Sequence, residues 1–556
     1  MRLTAVVVDV LICLLLVAAA IIALTGGRRF ELAGAAISAR DWSRPLAVAI
    51  VLFVASQAPG LVRRRVTAGE VVRRLASLVT VTLPFVALAF TAVYIIHACG
   101  GLDSHGYVAF SELLSRGKLS RPLPELPWLV VDRPAEVLSP LGFIPSLDGR
   151  SIIPEFPPGL PILLAAARLL AGPDAVYWVS WLCEVALVSV MFAMARERYG
   201  TLTAGLTAVL IAAHPVVAAY SMQTMSDVPA TLATAVAVYA LAARREPVPS
   251  AAGLAASFAI LIRPPLALPM VVLGVAALRR TPRIAWAMAA WTLPGLFALM
   301  LLQYELFGNP LVSGHGSAGH LFTVSTLAHN LTAHAKWFLI VQTPLAVPAL
   351  WWGWRSDKPF ATLLFAIALA EAFPYFFYGV PFDDWEMLRF LLPGIALLVP
   401  VAAEGIGSLL RRLPQPATPQ LGVVAISLMA LFASSRWLGS HGYLTMSITE
   451  TKYPRVAEWF STNTTPETVV FASLHSGSIN YYSGRLTLRW EAIPPDRLVP
   501  TLQKLAARGT PAYVVFDSDY ESDQFQRRFG ETVGTQVRVE PVDRIFTTII
   551  ATIQRQ

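Results

Sequence analysis

Five separated stretches of this chain place ionisable side chains within or at the ends of apolar runs, where a charge is costly and therefore informative. Asp103 stands in Gly101-Leu102-Asp103-Ser104-His105-Gly106-Tyr107, and Asp227 in Met225-Ser226-Asp227-Val228-Pro229-Ala230. Arg263 precedes two prolines, Pro264 and Pro265, inside an apolar run. Asp383, Asp384, Glu386 and Arg389 crowd the turn from Phe382 to Phe390, and Glu155 precedes Phe156-Pro157-Pro158-Gly159. Carboxylates can take up a proton or hold hydroxyls, and guanidiniums can hold an anion. The residue types alone leave those roles open.

The elements that must position these groups follow from composition. Of 556 residues, 55% are hydrophobic and only 14% charged, with a mean hydropathy of +0.59. A soluble domain runs at about 45–50% apolar and about 25% charged. This excludes a soluble enzyme, a disordered chain and a fibrous protein, and predicts a polytopic helical membrane protein. The net charge of +8 reports orientation, since no basic stripe with interleaved aromatics points to nucleic acid. Cys13, Cys99 and Cys183 cannot build a disulfide framework. The first run, 4–25, carries Asp9 and reads as a retained span rather than a signal peptide.

Apolar runs predict spans near 4–25, 46–62, 75–97, 175–195, 201–221, 226–243, 284–306, 336–354, 359–378, 388–408 and 419–438. Between 250 and 279, Arg263-Pro264-Pro265 divides a further run into two short helices, because proline cannot continue the helical ladder. About thirteen crossings result. The segment 156–170 is too short to span and reads as re-entrant or interfacial. With the N-terminus in the cytoplasm, the arginine loops fall inside: Arg63, Arg64, Arg65, Arg73 and Arg74; Arg196 and Arg198; Arg244 and Arg245. So do Arg279, Arg280 and Arg283, Arg355 with Lys358, and Arg411 with Arg412. Only the loop 26–45, with four arginines, dissents. The same count places the connection 98–156 and the tail after 440 outside, on a plasma membrane. In the tail, 468–472 and 512–516 read as buried strands and 453–462 and 493–507 as helices, so a small α/β domain is expected there. The organisation is then 1–74 with two N-terminal spans, 75–440 as a catalytic membrane domain, and 441–556 as an extracytoplasmic domain.

Asp103 at the head of a large first external loop resembles the GT-C glycosyltransferases that use polyprenyl-phosphate sugars. So do Phe156-Pro157-Pro158-Gly159, Met225-Ser226-Asp227-Val228-Pro229, Tyr304-Glu305-Leu306-Phe307-Gly308-Asn309-Pro310 and Arg389-Phe390-Leu391-Leu392-Pro393. The protein O-mannosyltransferase-like group and the lipid A aminoarabinose transferases are the nearest in pattern, over roughly residues 75–440. One departure stands out: many relatives follow the first aspartate with a second acid, and here Ser104 and His105 follow.

The resemblance implies a fold and a reaction. An all-α GT-C membrane domain would move a hexosyl or pentosyl unit, with inversion, from a polyprenyl-phosphate sugar to an acceptor hydroxyl at the cell surface. Asp103 matches the family's catalytic aspartate and is expected as general base, with Asp227 in the site's inner wall, as a helix cap, or both. Arg389 and Arg263 either pair with the donor phosphate or snorkel to headgroups, and Arg263 has a third reading as a contact to neighbouring carbonyls at the helix break. His105, Tyr107, Glu155, Asp383, Asp384 and Glu386 are candidates for substrate binding, and Tyr107 and Trp385 for stacking on a sugar or for an aromatic belt. Spacings of five, nine and five along His315, His320, His329 and His334 put no ligand set on one helical face, so no metal and no cofactor is assigned. Rival readings are a lipid or solute transporter, a polymerase or ligase acting on diphosphate-linked glycans, and a non-catalytic relative in cell-envelope glycan assembly. Acids gathered at one surface, rather than buried in repeated halves, argue against the transporter.

Overall fold

In the computed structural model, residues 2–25, 28–32, 35–39, 42–62, 67–413, 418–530 and 532–555 are described. Arg63, Arg64 and Arg65 lie outside them. Helices dominate as far as Ser440, as the apolar runs predict. Six of those described are long and apolar enough to cross a membrane: Ala68–Val93, Pro173–Tyr199, Pro282–Phe307, Lys358–Phe376, Trp385–Leu410 and Pro419–Ser440. A seventh span exists if Thr201–Ala212 and Pro215–Ser221, which meet at 55°, count as one. Six or seven of the expected thirteen crossings are thus found, by length and composition, among the described residues. Gly159–Ala171, Asp227–Ala243 and Pro249–Ile262 are apolar but shorter, and the first two helices, Arg2–Thr25 and Ser43–Val62, are apolar as well.

Proline accounts for the breaks. Pro215 interrupts the run 201–221, and Pro264 and Pro265 divide Pro249–Ile262 from Ala267–Arg280 as expected. A break not foreseen falls inside 336–354, where Leu327–Gln342 stops and Ala346–Ser356 starts. There Thr343 takes a left-handed φ of 62° before Pro344, and a proline disfavours helical geometry in the residue before it. The loop 26–45 contains an antiparallel hairpin, Arg28–Leu32 with Ala35–Ala39. Asp9, in the first helix, is neutralised by Arg74 Nη2 at 2.5 Å.

The connection 98–156 folds into the helix Asp103–Ser115, the short helix Pro134–Leu138 and three antiparallel strands, Arg121–Pro122, Ser151–Pro154 and Phe143–Pro145. The tail forms a mixed five-stranded sheet in the order Leu486–Leu488, Val469–Ala472, Ala512–Phe516, Thr548–Arg555, Val537–Ile545. The first three strands run parallel and the last two antiparallel. Both faces of this sheet are covered, which is why its central strands read as unbroken apolar runs. Val470, Ala472, Val515 and Ile550 pack against Val456, Phe460 and Ile479. Val469, Phe471, Val514 and Phe516 face Leu498, Leu502, Phe525 and Phe529. Trp128, Leu129, Val137 and Leu138 of the connection 98–156 enter that second core. Connection and tail thus share one core on one face of the helical domain.

Candidate active site

Asp103 is the first residue of its helix, where a carboxylate is stabilised by the helix dipole. The approach to it is set by the tail: a Cβ on Gly100, three positions earlier, would stand 2.2 Å from the Tyr453 ring. Only glycine permits that approach. Across the site, a Cβ on Gly159 would meet the backbone of Ile262 at 2.4 Å, so the Pro-Pro-Gly helix seats directly on the helix break at Arg263.

Two ion pairs face each other there. Arg389 Nη1 reaches Asp103 Oδ2 at 3.0 Å, and Arg263 Nη2 reaches Asp227 Oδ1 at 2.5 Å. Asp227 is fully buried, and its Oδ2 has no partner. Arg263 also donates to Ser226 Oγ (3.2 Å) and to the Arg389 carbonyl (3.1 Å), which ties the two pairs into one network. The Tyr107 hydroxyl donates to the same Ser226 Oγ at 3.0 Å. Both guanidiniums lie over the Phe390 ring, at 5.5 and 4.9 Å from its centre. Asp227 does not cap its helix through its side chain; it is the first helical residue, and its carboxylate is taken by Arg263.

The pairs open onto a cavity of about 530 Å³, lined by all four charged residues, Tyr107, Tyr375 and Tyr378. Leu296, Leu299 and Met300 form an apolar wall. That wall belongs to Pro282–Phe307, whose other side exposes Trp286, Trp291, Phe297 and Leu301. The polar end of the cavity is thus separated from the helix bundle's apolar exterior by a single helix. His315 also lines it and bonds Glu155 Oε1 at 2.9 Å, a contact that raises the imidazole's pKa above its ordinary value.

The remaining candidates stand elsewhere. His105 turns away from the cavity, its Nδ1 2.7 Å from the Leu141 carbonyl and its ring against Gly477 of the tail. Burial lowers its pKa to about 4, so it is neutral. Asp383 is exposed and meets His329 at 2.8 Å. Asp384 caps the turn Trp385–Leu391 by accepting the Glu386 amide, and Glu386 accepts the Tyr443 hydroxyl at 2.9 Å. Trp385 is buried against Trp437, His441 and Tyr443. These residues shape the turn that carries Arg389 and do not line the cavity. Sequence reasoning left Ser226, His315, Tyr375, Tyr378 and Tyr453 unassigned. Ser226 sat within a motif already singled out, whereas His315 and Tyr453 meet their partners across 160 residues or more and leave no local signal. Among the described residues, no three His, Cys, Asp or Glu side chains gather as metal ligands would.

No family model and no curated protein matches the sequence. Solved structures do match the fold. ArnT from Cupriavidus metallidurans, a lipid A aminoarabinose transferase, superposes in its apo state with a TM-score of 0.52 at 15% identity, over 86% of this chain and 97% of that one. The same protein bound to undecaprenyl phosphate gives 0.55 at 15% identity, over 85% and 97%. An oligosaccharyltransferase from Archaeoglobus fulgidus gives 0.44 at 12% identity, over 81% and 69%. The chain therefore has the fold of ArnT, a GT-C glycosyltransferase, as its motifs suggested, and is a multi-pass membrane protein.

Proposed function

We propose that this chain is an integral membrane glycosyltransferase that moves one sugar from a polyprenyl phosphate to a hydroxyl acceptor. One observation carries the reading. A cavity behind a lipid-facing helix holds two carboxylates and two guanidiniums, each cation paired with one of the acids. An apolar carrier can reach such a site from the bilayer, and a phosphate can then be held by arginine. ArnT, the structural neighbour, has been solved with undecaprenyl phosphate bound.

The two pairs are suited to different tasks. Arg263 is fixed by Asp227, Ser226 and the Arg389 carbonyl, so it can meet the phosphate without rearranging. Asp227, fully buried, orients Arg263. Arg389 is held by a looser pair whose side chains are about a quarter exposed. An arriving phosphate competes with Asp103 for Arg389 and leaves the aspartate free to act as base. The acceptor oxygen then attacks the anomeric carbon from the face opposite the phosphate. The carbon–oxygen bond to the phosphate breaks, the acceptor proton passes to Asp103, and polyprenyl phosphate leaves on the arginines. Tyr107, Tyr375 and Tyr378 supply rings and hydroxyls for the sugar, and the Glu155–His315 contact borders it.

On this reading the reaction takes place at the outer face of the plasma membrane, with the tail and the connection 98–156 on that side. The helix Ala267–Arg280 starts beside Arg263 and ends at Arg279 and Arg280, so the arginine-rich end is opposite the site, as an inside location requires. The limits 1–74, 75–440 and 441–556 remain our division of the chain, with the tail joined to the catalytic unit through Tyr453.

The test is a reconstituted assay with a panel of polyprenyl-phosphate hexoses and pentoses and surface glycan acceptors. Wild type is expected to consume one donor that Asp103→Asn binds and leaves intact. Consumption by Asp103→Asn at the wild-type rate overturns the base; failure of wild type to bind any polyprenyl phosphate overturns the function.

A further inference from the structure

At the far end of the membrane domain a second cavity, of about 630 Å³, lies between the helices Ala267–Arg280 and Lys358–Phe376. Its walls are apolar: Val271, Val275 and Ala276 on one helix, Leu363 and Ala366 on the other. Val271 and Val275 are also turned to the exterior, so the cleft is open sideways where a bilayer would lie. Its charged lining is of one sign. Arg198, Arg279 and Arg280 line it, and no Asp or Glu does.

The three arginines are held differently. Arg280 donates to the carbonyls of Leu241 (2.7 Å) and Ala242 (3.2 Å), which fixes its guanidinium at the mouth. Arg198 is anchored by Asp357 and lies over the Phe360 ring at 4.7 Å. Arg279 has no ion pair or side-chain hydrogen bond among the described residues and is exposed. About 20 Å of helix, from the rise per residue, separates this mouth from the catalytic cavity at the other end of Ala267–Arg280.

We propose that this cleft binds one anionic phospholipid of the leaflet opposite the catalytic cavity. Its phosphate sits at Arg279 with Arg198 and Arg280 beside it, and an acyl chain lies along Val271, Val275, Leu363 and Ala366. A soluble anion would make no use of the apolar walls, and a zwitterionic lipid would leave the excess positive charge uncompensated. Basic pockets between membrane helices are suited to such headgroups. The site is separate from the transfer chemistry and stands whether or not the proposed donor is correct.

Native mass spectrometry of the full-length, delipidated protein tests this, with phosphatidylglycerol, phosphatidylcholine, undecaprenyl phosphate and inorganic phosphate as probes. Wild type is expected to retain one phosphatidylglycerol under activation that strips phosphatidylcholine. Retention should fall about fivefold in R279Q and at least as far in V275W, whose ring fills the cleft from an exposed position. R412Q, at the same membrane face but outside the cleft, should retain it as wild type does. Equal retention of phosphatidylglycerol and phosphatidylcholine, or equal loss in R279Q and R412Q, overturns the site. Inorganic phosphate binding with no lipid preference overturns the lipid assignment. Displacement of phosphatidylglycerol by undecaprenyl phosphate, abolished by V275W, would reassign the cleft to the carrier.

Discussion

The candidate active-site cavity and the tail each hold a cluster of acids and cations, two aspartates with two arginines in one and Asp517 and Glu521 with Lys452 and His475 in the other. In the tail, Asp517 takes Lys452 Nζ at 2.7 Å and His475 Nε2 at 3.1 Å, and Glu521 accepts the backbone amides of Leu474 and Asp517. His475 lies beneath the Tyr453 ring. Each cluster also keeps a buried polar atom without a partner, Asp227 Oδ2 in one and His475 Nδ1 in the other. An orphan atom therefore does not tell a site from a structural network. What differs is space: the membrane pairs border 530 Å³ of cavity, whereas neither that cavity nor the basic cleft reaches Asp517. An ion pair beside a cavity can exchange its partner for a substrate.

The largest expected effect separates the two clusters directly. Asp103→Asn should lower kcat by about 10²–10⁴-fold with the melting temperature little changed, because its pair is partly exposed. Asp517→Asn should leave kcat per folded molecule unchanged. Equal losses of kcat in the two variants would break the distinction. Next in size, Arg263→Gln strands Asp227 as a buried, unpaired charge and should cost about 3–5 kcal/mol of stability, read by denaturant unfolding. Adding Asp227→Asn should restore most of the stability but not the activity.

A smaller, pH-dependent effect belongs to the tail. Burial raises the Asp517 pKa, but hydrogen bonds from His475 and Lys452 outweigh it and hold the carboxyl at about 2. A depressed carboxylate contributes stability above its ordinary pKa near 4, and that contribution is lost as pH falls through about 2. Hydrogen exchange on the full-length protein should show Asp517→Asn less protected than wild type by about 2 kcal/mol above pH ~4, converging below. Glu521 has the opposite sign, pushed up to about 7 by burial. Its carboxyl costs stability increasingly as pH rises from its ordinary value near 4.5, so Glu521→Gln should gain on wild type over that interval. The smallest effect is expected for Asp383→Asn. Its side chain is 74% exposed, and both stability and kcat should stay within about 0.5 kcal/mol of wild type.

Much of the site was legible before any coordinates. Asp103, Asp227, Arg263, Arg389 and Tyr107 all line the cavity, and the helix break at Arg263 stands where Pro264 and Pro265 require it. The acidic turn was the misleading part. Asp383, Asp384 and Glu386 share the composition of a binding site, yet they serve a surface contact, a cap and a tyrosine hydroxyl. His105, two positions from Asp103, faces the tail instead, because Gly477 leaves room for its ring there. A helix carries residues two apart toward different sides, and nothing in the motif announces which side the tail occupies.

Composition and proline spacing by themselves determined a helical membrane domain, its main breaks, an α/β tail, and the residues too costly to bury without a purpose. Those properties are local: they depend on the transfer cost of each segment and on whether each amide can continue a helix. Only the tertiary structure decided that Asp103 answers to Arg389, 286 positions away, and Asp227 to Arg263, or that Tyr453 sets the approach to Asp103. Electrostatic and packing energies fall with distance in space, not along the chain, so pairing becomes fixed only when the helices close around the cavity.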